Sequence, residues 1–274
     1  GGPTLYHVPR TISSPIYQVL IELDVVNDTV KVETLMFADL KTSEHLARNP
    51  MGSSPAFTDQ GNEIAIWESG AVLTHLLEVY DTDYKLHPQP VGGKQVSSCC
   101  SSSSTKKERA IFLHLQQYII ATVYPFVASL FIHTLKPKDE QDTTYIESAK
   151  RKWKTLLAPT LSKFLADSKF FLGDNLTAVD LLVAKPLGNA HSMGLLKEDE
   201  FPTLYKLFKN IESMPSFSKA YSQPTATATT TADRKKHETE HKEGRSFVLR
   251  PGDDNDGVPI KQTNKNQQWY SSTM

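Results

Sequence analysis

Cysteine is scarce in this chain. Only Cys99 and Cys100 occur among 274 residues, side by side inside a serine run. That excludes a disulfide framework and a cysteine-rich metal site. It also fits a reducing compartment, so a cytoplasmic location is expected. Net charge is equally scarce: 30 Lys and Arg stand against 31 Asp and Glu, leaving −1. A surface dedicated to nucleic acid or to anionic lipid is therefore not expected. Long hydrophobic runs are missing too. The apolar stretches are broken by polar residues at helical spacing, and none is expected to reach the ~18 residues of a membrane span. The chain begins at Gly1 and not at a methionine, which leaves a removed targeting segment open.

What is present divides into four segments. Residues 3–87 read as mixed strand and helix. Thr4 to Val8 has the β-branched and aromatic content of a strand. Ser13-Ser14-Pro15 reads as a helix start, with a serine N-cap and proline in the first turn, and Ile16, Val19, Leu20 and Leu23 follow at helical spacing. Thr29 to Thr34 is a second strand candidate. Ala56 to Trp67 reads as a hairpin turning at Gln60-Gly61-Asn62, after which Glu68-Ser69-Gly70 opens a helix. Residues 88–105, with prolines, a Gly-Gly pair and the serine run, read as a flexible linker. Residues 106–221 are helical in pattern. Ile111, Leu115, Tyr118, Ile119 and Thr122 are expected on one face, with a kink at Pro125. A second long helix is expected over residues 145–166. Thr177-Ala178-Val179-Asp180 has the spacing of an N-capping box, and a further helix is expected over residues 202–214. Residues 222–274 are polar, open on alternating Thr and Ala, and are expected to be largely disordered.

Several of these residues together carry a family resemblance. The strand, the Ser-Pro helix start, Asn49-Pro50-Met51-Gly52-Ser53-Ser54-Pro55 and Trp67-Glu68-Ser69-Gly70-Ala71, in that order, resemble the N-terminal domain of glutathione S-transferases. Phe170 to Asp180, then Phe201-Pro202-Thr203-Leu204-Tyr205 and Met214-Pro215-Ser216-Phe217, resemble the C-terminal domain of the same family. The resemblance covers residues 3–221 and points to the serine-type classes, theta- or phi-like, bacterial or fungal. It implies a thioredoxin-like α+β domain followed by an all-α helical bundle. It also implies a homodimer, with glutathione as co-substrate, no other cofactor, and a hydrophobic electrophile as second substrate. The sequence departs from the family at Ser54, where an aliphatic residue is common, at Ser53, where a basic one is common, and in having the linker and the tail.

The candidate site follows from that resemblance, and each residue also has a plainer reading. Ser13 matches the hydroxyl that stabilises the glutathione thiolate, a reading that the order of motifs favours over an ordinary N-cap, and Ser14 is the alternative. The thiolate, not the thiol, is the nucleophile, and a hydroxyl at a helix N-terminus favours it by hydrogen bond and dipole. Ser54-Pro55 resembles a cis-proline turn whose backbone pairs with the cysteinyl part of glutathione. Glu68 and Ser69 match the pair that holds the γ-glutamyl group, or else simply suit the first turn of a helix. Lys41 is a candidate for the glycyl carboxylate, or an ordinary surface lysine. Tyr118, Thr122 and Phe126 fall on the element that faces the second substrate in the family, at a spacing that core packing also explains. No Cys-x-x-Cys occurs at residues 11–18, so disulfide exchange of the thioredoxin kind is unsupported. His237-Glu238-Thr239-Glu240-His241 matches H-E-x-x-H, but it lies among charged residues with no apolar face, which marks it as a chance match. Conjugation of the glutathione thiolate to an electrophile is the expected activity. The alternatives are a non-catalytic binding protein, or a glutathione-dependent peroxidase or isomerase, on the same fold.

Overall fold

The computed structural model describes residues 2–59, 63–90 and 106–222. The expected turn at Gln60-Gly61-Asn62, the serine run of the expected linker and the tail with His237 and His241 lie outside the described residues. The first segment folds as β1 (Thr4–His7), α1 (Ser13–Glu22), β2 (Lys31–Thr34), α2 (Ser43–Arg48), β3 (Ala56–Asp59), β4 (Ile64–Trp67) and α3 (Ser69–Tyr80), with a 3₁₀ turn at Phe37–Lys41. The sheet order is β2-β1-β3-β4. β1 runs parallel to β2, while β3 is antiparallel to both β1 and β4. A parallel neighbour requires a crossover helix, and α1 supplies it. Leu5 and Phe57 from the sheet, Ile16 and Leu20 from α1, and Val72 and Leu76 from α3 bury one core. This is a thioredoxin-like domain.

The helical segment holds α4 (Lys106–Tyr118), α5 (Tyr124–Leu135), α6 (Thr143–Lys152), α7 (Ala158–Leu165), α8 (Ala178–Ser192), α9 (Pro202–Glu212) and α10 (Pro215–Tyr221). Two π turns, Ile119–Val123 and Trp153–Leu157, join α4 to α5 and α6 to α7. Each closes with an N–H bonded five residues back, Tyr124 to Ile119 and Ala158 to Trp153, and each is followed at once by a proline, Pro125 or Pro159. The widened turn lets the helix pass a residue that has no N–H to donate and whose ring crowds the preceding turn. The expected kink at Pro125 is therefore a π turn, and the expected helix over residues 145–166 is α6 and α7 in series. The inward face of α4 and its continuation is Phe112, Leu115, Gln116, Ile119, Val123, Val127 and Leu130. Ile111 and Tyr118 are only partly buried and Thr122 is exposed, which corrects the expected stripe by one residue at each end, to Phe112 and Val123.

Lys106–Leu135 forms one helical stretch of 30 residues, with a mean hydropathy of 1.6 over its most apolar 18. By length and composition it is long and apolar enough to cross a membrane, contrary to the expectation that no run would be. In the fold its inward face packs into the helical core.

That core does not stop at the helical segment. Ile12 and Val19 of the first helix region, Leu73 and Leu77 of α3 and Leu86 belong to the same buried cluster as Trp153, Leu181 and Phe208. α1 thus packs the sheet with one face and α8 and α10 with the other. Gln18 Nε2 donates to Ser216 Oγ at 3.1 Å, Gln116 Nε2 to Thr74 Oγ1 at 2.8 Å and Ala178 N–H to the Leu86 carbonyl at 2.7 Å.

Candidate functional site

Sheet topology brings the candidate residues to one end of the first domain. Tyr6 of β1 is opposite Ala56 of β3, which is opposite Trp67 of β4, and His7 is level with Thr34 of β2. The loop from β1 into α1, the Ser54-Pro55 turn into β3, the Glu68-Ser69 start of α3 and the segment from β2 to Lys41 therefore share an edge. α1 and α3 both begin there. Two helix N-termini at one edge favour a ligand with negative charge.

The helix start at Ser13 differs from its sequence reading. Ile12 is the N-cap, with no side-chain cap bond, so Ser13 and Ser14 are the first two helical residues and Pro15 the third. Both serines are fully buried. Ser13 Oγ lies 2.8 Å from His7 Nδ1, 2.9 Å from the Val8 carbonyl and 2.8 Å from Thr11 Oγ1, and it accepts the Val8 N–H at 3.1 Å. Ser14 Oγ accepts the Arg10 N–H at 2.9 Å, holding Arg10 at a φ of 63°. The serine hydroxyls are thus engaged with the β1–α1 loop instead of the free N–H groups of the helix.

The hydroxyl that reaches the Ser54-Pro55 turn belongs to Thr11. Thr11 is half-buried, and its Oγ1 lies 3.1 Å from Ser54 Oγ across 43 residues of sequence. It also donates to the Val8 carbonyl at 2.8 Å. Sequence reasoning missed Thr11 because the Ser-Ser-Pro signal two residues on reads so clearly as a helix cap. The signal that could have found it is a hydroxyl residue placed between the end of a strand and the first turn of the helix.

The Ser54–Pro55 peptide bond is cis. The loop before it is held from three sides. His45 Nε2 donates to the Ser53 carbonyl at 2.8 Å, Asn49 Nδ2 donates to the same oxygen at 2.8 Å, and Lys41 Nζ donates to the Gly52 carbonyl at 3.2 Å. Lys41 is exposed and is placed beside the turn. Glu68 is exposed and holds a φ of 72° at the N-cap of α3, while Ser69 behind it is buried. A non-glycine residue at positive φ costs on the order of 1–3 kcal/mol, and such positions cluster at ligand clamps.

His7 is buried, and that burial pushes its pKa down to about 4, with a smaller opposing effect from the Ala220 backbone. It is neutral at pH 7. Lys185 on α8 donates to Asn189 Oδ1 at 2.5 Å, and burial together with the Arg10 guanidinium pushes its pKa down to about 8. Tyr118 and Phe126 are partly buried against the helical core, and the Tyr118 hydroxyl is pushed up by burial. A groove of about 650 Å³ runs from Glu68 along α3 and α4, lined by Gly70, Thr74, His75, Gln117 and Ile120. Thr11 and Ser54 are not among its lining residues. Among the described residues no group of three or more His, Cys, Asp or Glu side chains could hold a metal.

Comparison with known proteins places the fold in a family. The family description of the glutathione S-transferase N-terminal domain matches residues 3–78, and that of the C-terminal domain matches residues 123–215. Glutathione S-transferase 1 of Schizosaccharomyces pombe is 39% identical over 80 residues, which is 27% of this chain and 34% of that protein. A glutathione S-transferase-like protein, OpS6, of Beauveria bassiana is 34% identical over 79 residues, 29% of this chain and 35% of that one. The matched stretch thus spans about a third of these fungal relatives. Glutathione S-transferase Z2 of Arabidopsis thaliana is 25% identical over 192 residues, 68% of this chain and 75% of that protein. Among solved structures, the Phanerochaete chrysosporium transferase URE2P6, in complex with oxidized glutathione, superposes with a TM-score of 0.65 at 23% identity, covering 80% of this chain and 94% of that one. A Pseudomonas fluorescens family member with two glutathione bound gives 0.65 at 18% identity, covering 81% and 93%. With the thioredoxin-like sheet, the helical bundle and two family domains matched in order, the chain belongs to the glutathione S-transferase family.

Proposed function

We propose that this protein is a glutathione transferase that joins the glutathione sulfur to a hydrophobic electrophile. The observation that carries the proposal is the meeting of Thr11 Oγ1 and Ser54 Oγ, 3.1 Å apart, at the sheet edge where α1 and α3 begin. In this reading the Ser54 backbone pairs with the cysteinyl part of glutathione, Glu68 accepts from its ammonium, Ser69 donates to its γ-glutamyl carboxylate, and Lys41 stands toward its glycyl end. The thiol proton leaves to solvent. The thiolate is then held by the Thr11 hydroxyl, with Ser13 behind it, and by the positive end of α1. It attacks an electrophilic carbon, forming a C–S bond as the leaving group departs with its electron pair. The protein's part is thiolate stabilisation and positioning. The structures with bound glutathione support the co-substrate.

A homodimer belongs to the same proposal. The exposed Ile132 and Leu135 of α5 offer apolar surface for it. Sedimentation of the full chain is expected to give twice the monomer mass.

The test of the activity is calorimetric binding of glutathione to the full chain, followed by turnover with an activated aryl halide and, separately, with a hydroperoxide. Glutathione binding with thioether product is the expected result. Binding without either turnover would favour the non-catalytic alternative, and peroxide reduction alone would favour the peroxidase. Thr11→Ala is expected to lower conjugation by on the order of 10²–10³ while leaving glutathione affinity within a few-fold. Thr11→Ser is expected to retain most of it.

A further inference from the structure

We infer that Ser13 and His7 form a buried relay that sets where the Thr11 hydroxyl points its proton. They are positioning residues that act through Thr11 and do not touch the substrate. The inference rests on the transferase reading above.

The relay follows from counting protons. His7 is 1% exposed and Ser13 is 0% exposed, so each polar atom must find a partner within the protein. The Ala220 backbone of α10 favours the protonated His7 ring, as a carbonyl that accepts from a ring N–H does, which puts the ring proton on Nε2. Nδ1 is therefore the acceptor, and at 2.8 Å it takes the Ser13 O–H. Ser13 Oγ in turn accepts the Val8 N–H.

Thr11 has one hydroxyl proton and several acceptors around it. The Val8 carbonyl is at 2.8 Å, Ser13 Oγ at 2.8 Å and Ser54 Oγ at 3.1 Å. In the ligand-free arrangement its proton goes to Val8. If the proton turns to a sulfur, the buried Val8 carbonyl loses its hydroxyl donor at 2.8 Å and keeps only the Thr11 N–H at 3.4 Å. Ser13 Oγ lies 2.9 Å from that same carbonyl, so its hydroxyl can swing from His7 to Val8 and take over. Of the two hydroxyls one always serves Val8, which leaves the other free. The cost of the exchange falls on neutral His7, whose Nδ1 holds the Ser13 proton in one state and gives it up in the other. The charged groups near the loop, Arg10 and Lys185, are common to both states.

The test is a double-mutant cycle on the full chain, read by three quantities: glutathione affinity, kcat with an activated aryl halide, and the pKa of bound glutathione from the ultraviolet absorbance of its thiolate. Ser13→Ala is expected to raise the bound-thiol pKa by about half a unit to a unit and to lower kcat about three- to tenfold, whereas His7→Phe, which leaves the Ser13 proton to Val8 in both states, is expected to lower that pKa, with affinity within about twofold in each. His7→Asn, whose Oδ1 can stand in for Nδ1, is expected to stay near wild type in both. In a Thr11→Ala background neither Ser13→Ala nor His7→Phe is expected to change pKa or kcat further. A Ser13→Ala effect that persists at full size without Thr11, or an unchanged thiol pKa in Ser13→Ala, would overturn the relay. Should His7→Phe not fold, the Ser13–Thr11 cycle alone decides. A wild-type protein that binds glutathione without lowering its thiol pKa overturns the transferase reading itself, a different outcome from relay failure with a lowered wild-type pKa.

Discussion

An added Cβ at Gly52 would lie 2.6 Å from Lys41 Nζ and 2.9 Å from the Leu40 carbonyl oxygen, and the residue holds a φ of +57°. Lysine can give way, but a backbone oxygen cannot, and the left-handed conformation favours glycine. Gly52→Ala is therefore expected to lower the unfolding free energy by roughly 1–2 kcal/mol and to loosen the turn before Pro55, read as weaker glutathione binding. At His7 the consequence is a pH dependence. Its pKa of about 4 lies below the unfolded value of 6.5, so the unfolded chain takes up this proton first as pH falls. Stability from His7 is complete above pH 6.5 and is lost between pH 6.5 and about 4, by roughly 3 kcal/mol. Asp180 works in the opposite sense. Burial pushes its pKa up to about 6, against an unfolded value of 3.8, so the folded protein takes up that proton first and gains stability over much the same window. The whole-protein profile mixes the two. The useful quantity is the stability difference between wild type and His7→Gln, which is expected to shrink or reverse in favour of the variant as pH falls from 6.5 to 4. A constant difference would refute the neutral, buried histidine.

Among the elements, α8 was the easiest to read from the sequence. The Thr177 to Asp180 spacing is a capping box in the structure. The Asp180 carboxylate accepts the Thr177 N–H at 2.8 Å, the Thr177 hydroxyl at 2.7 Å and the Phe171 N–H at 2.8 Å, which explains how so buried an acid is tolerated. Asp180→Ala strands three buried donors and is expected to cost on the order of 3 kcal/mol, seen as a lower denaturant midpoint. β1, β2, β3 and β4 were legible from β-branched and aromatic alternation, and α1 from Ile16, Val19 and Leu20. Other elements were not. α2 has only six residues and is set by Thr42 capping the His45 N–H and by the Ser53 contacts of its neighbours, which local pattern does not reveal. The two π turns follow from prolines whose usual reading is a kink. The inward face of α4 departs from its apolar spacing because Gln116, polar in sequence, is buried to bond Thr74 on α3. At the site, the resemblance supplied positions for Ser54, Pro55, Glu68 and Ser69 that the fold gathers at one sheet edge. Thr11 came only from the structure, since its contact with Ser54 spans 43 residues and the Ser-Ser-Pro cap signal beside it masks its place in the loop.

At the scale of the whole molecule, the described residues through 222 make one compact unit in which sheet and bundle share α1 as a common wall. Unfolding of that unit is expected as a single calorimetric transition. Two separated transitions would show that the first domain and the bundle melt independently and that the shared cluster contributes little. The same shared wall ties the site to the bundle, since α1 carries Ser13 at its start and Gln18, which donates to Ser216 Oγ of α10 at 3.1 Å. The most direct test of the account is therefore geometric: a structure of the full chain with glutathione bound. The glutathione sulfur is expected within hydrogen-bonding distance of Thr11 Oγ1, with the cysteinyl backbone paired to Ser54 and with Ser13 still buried behind. A sulfur that contacts another hydroxyl, or a glutathione seated away from the Thr11–Ser54 edge, would contradict the account.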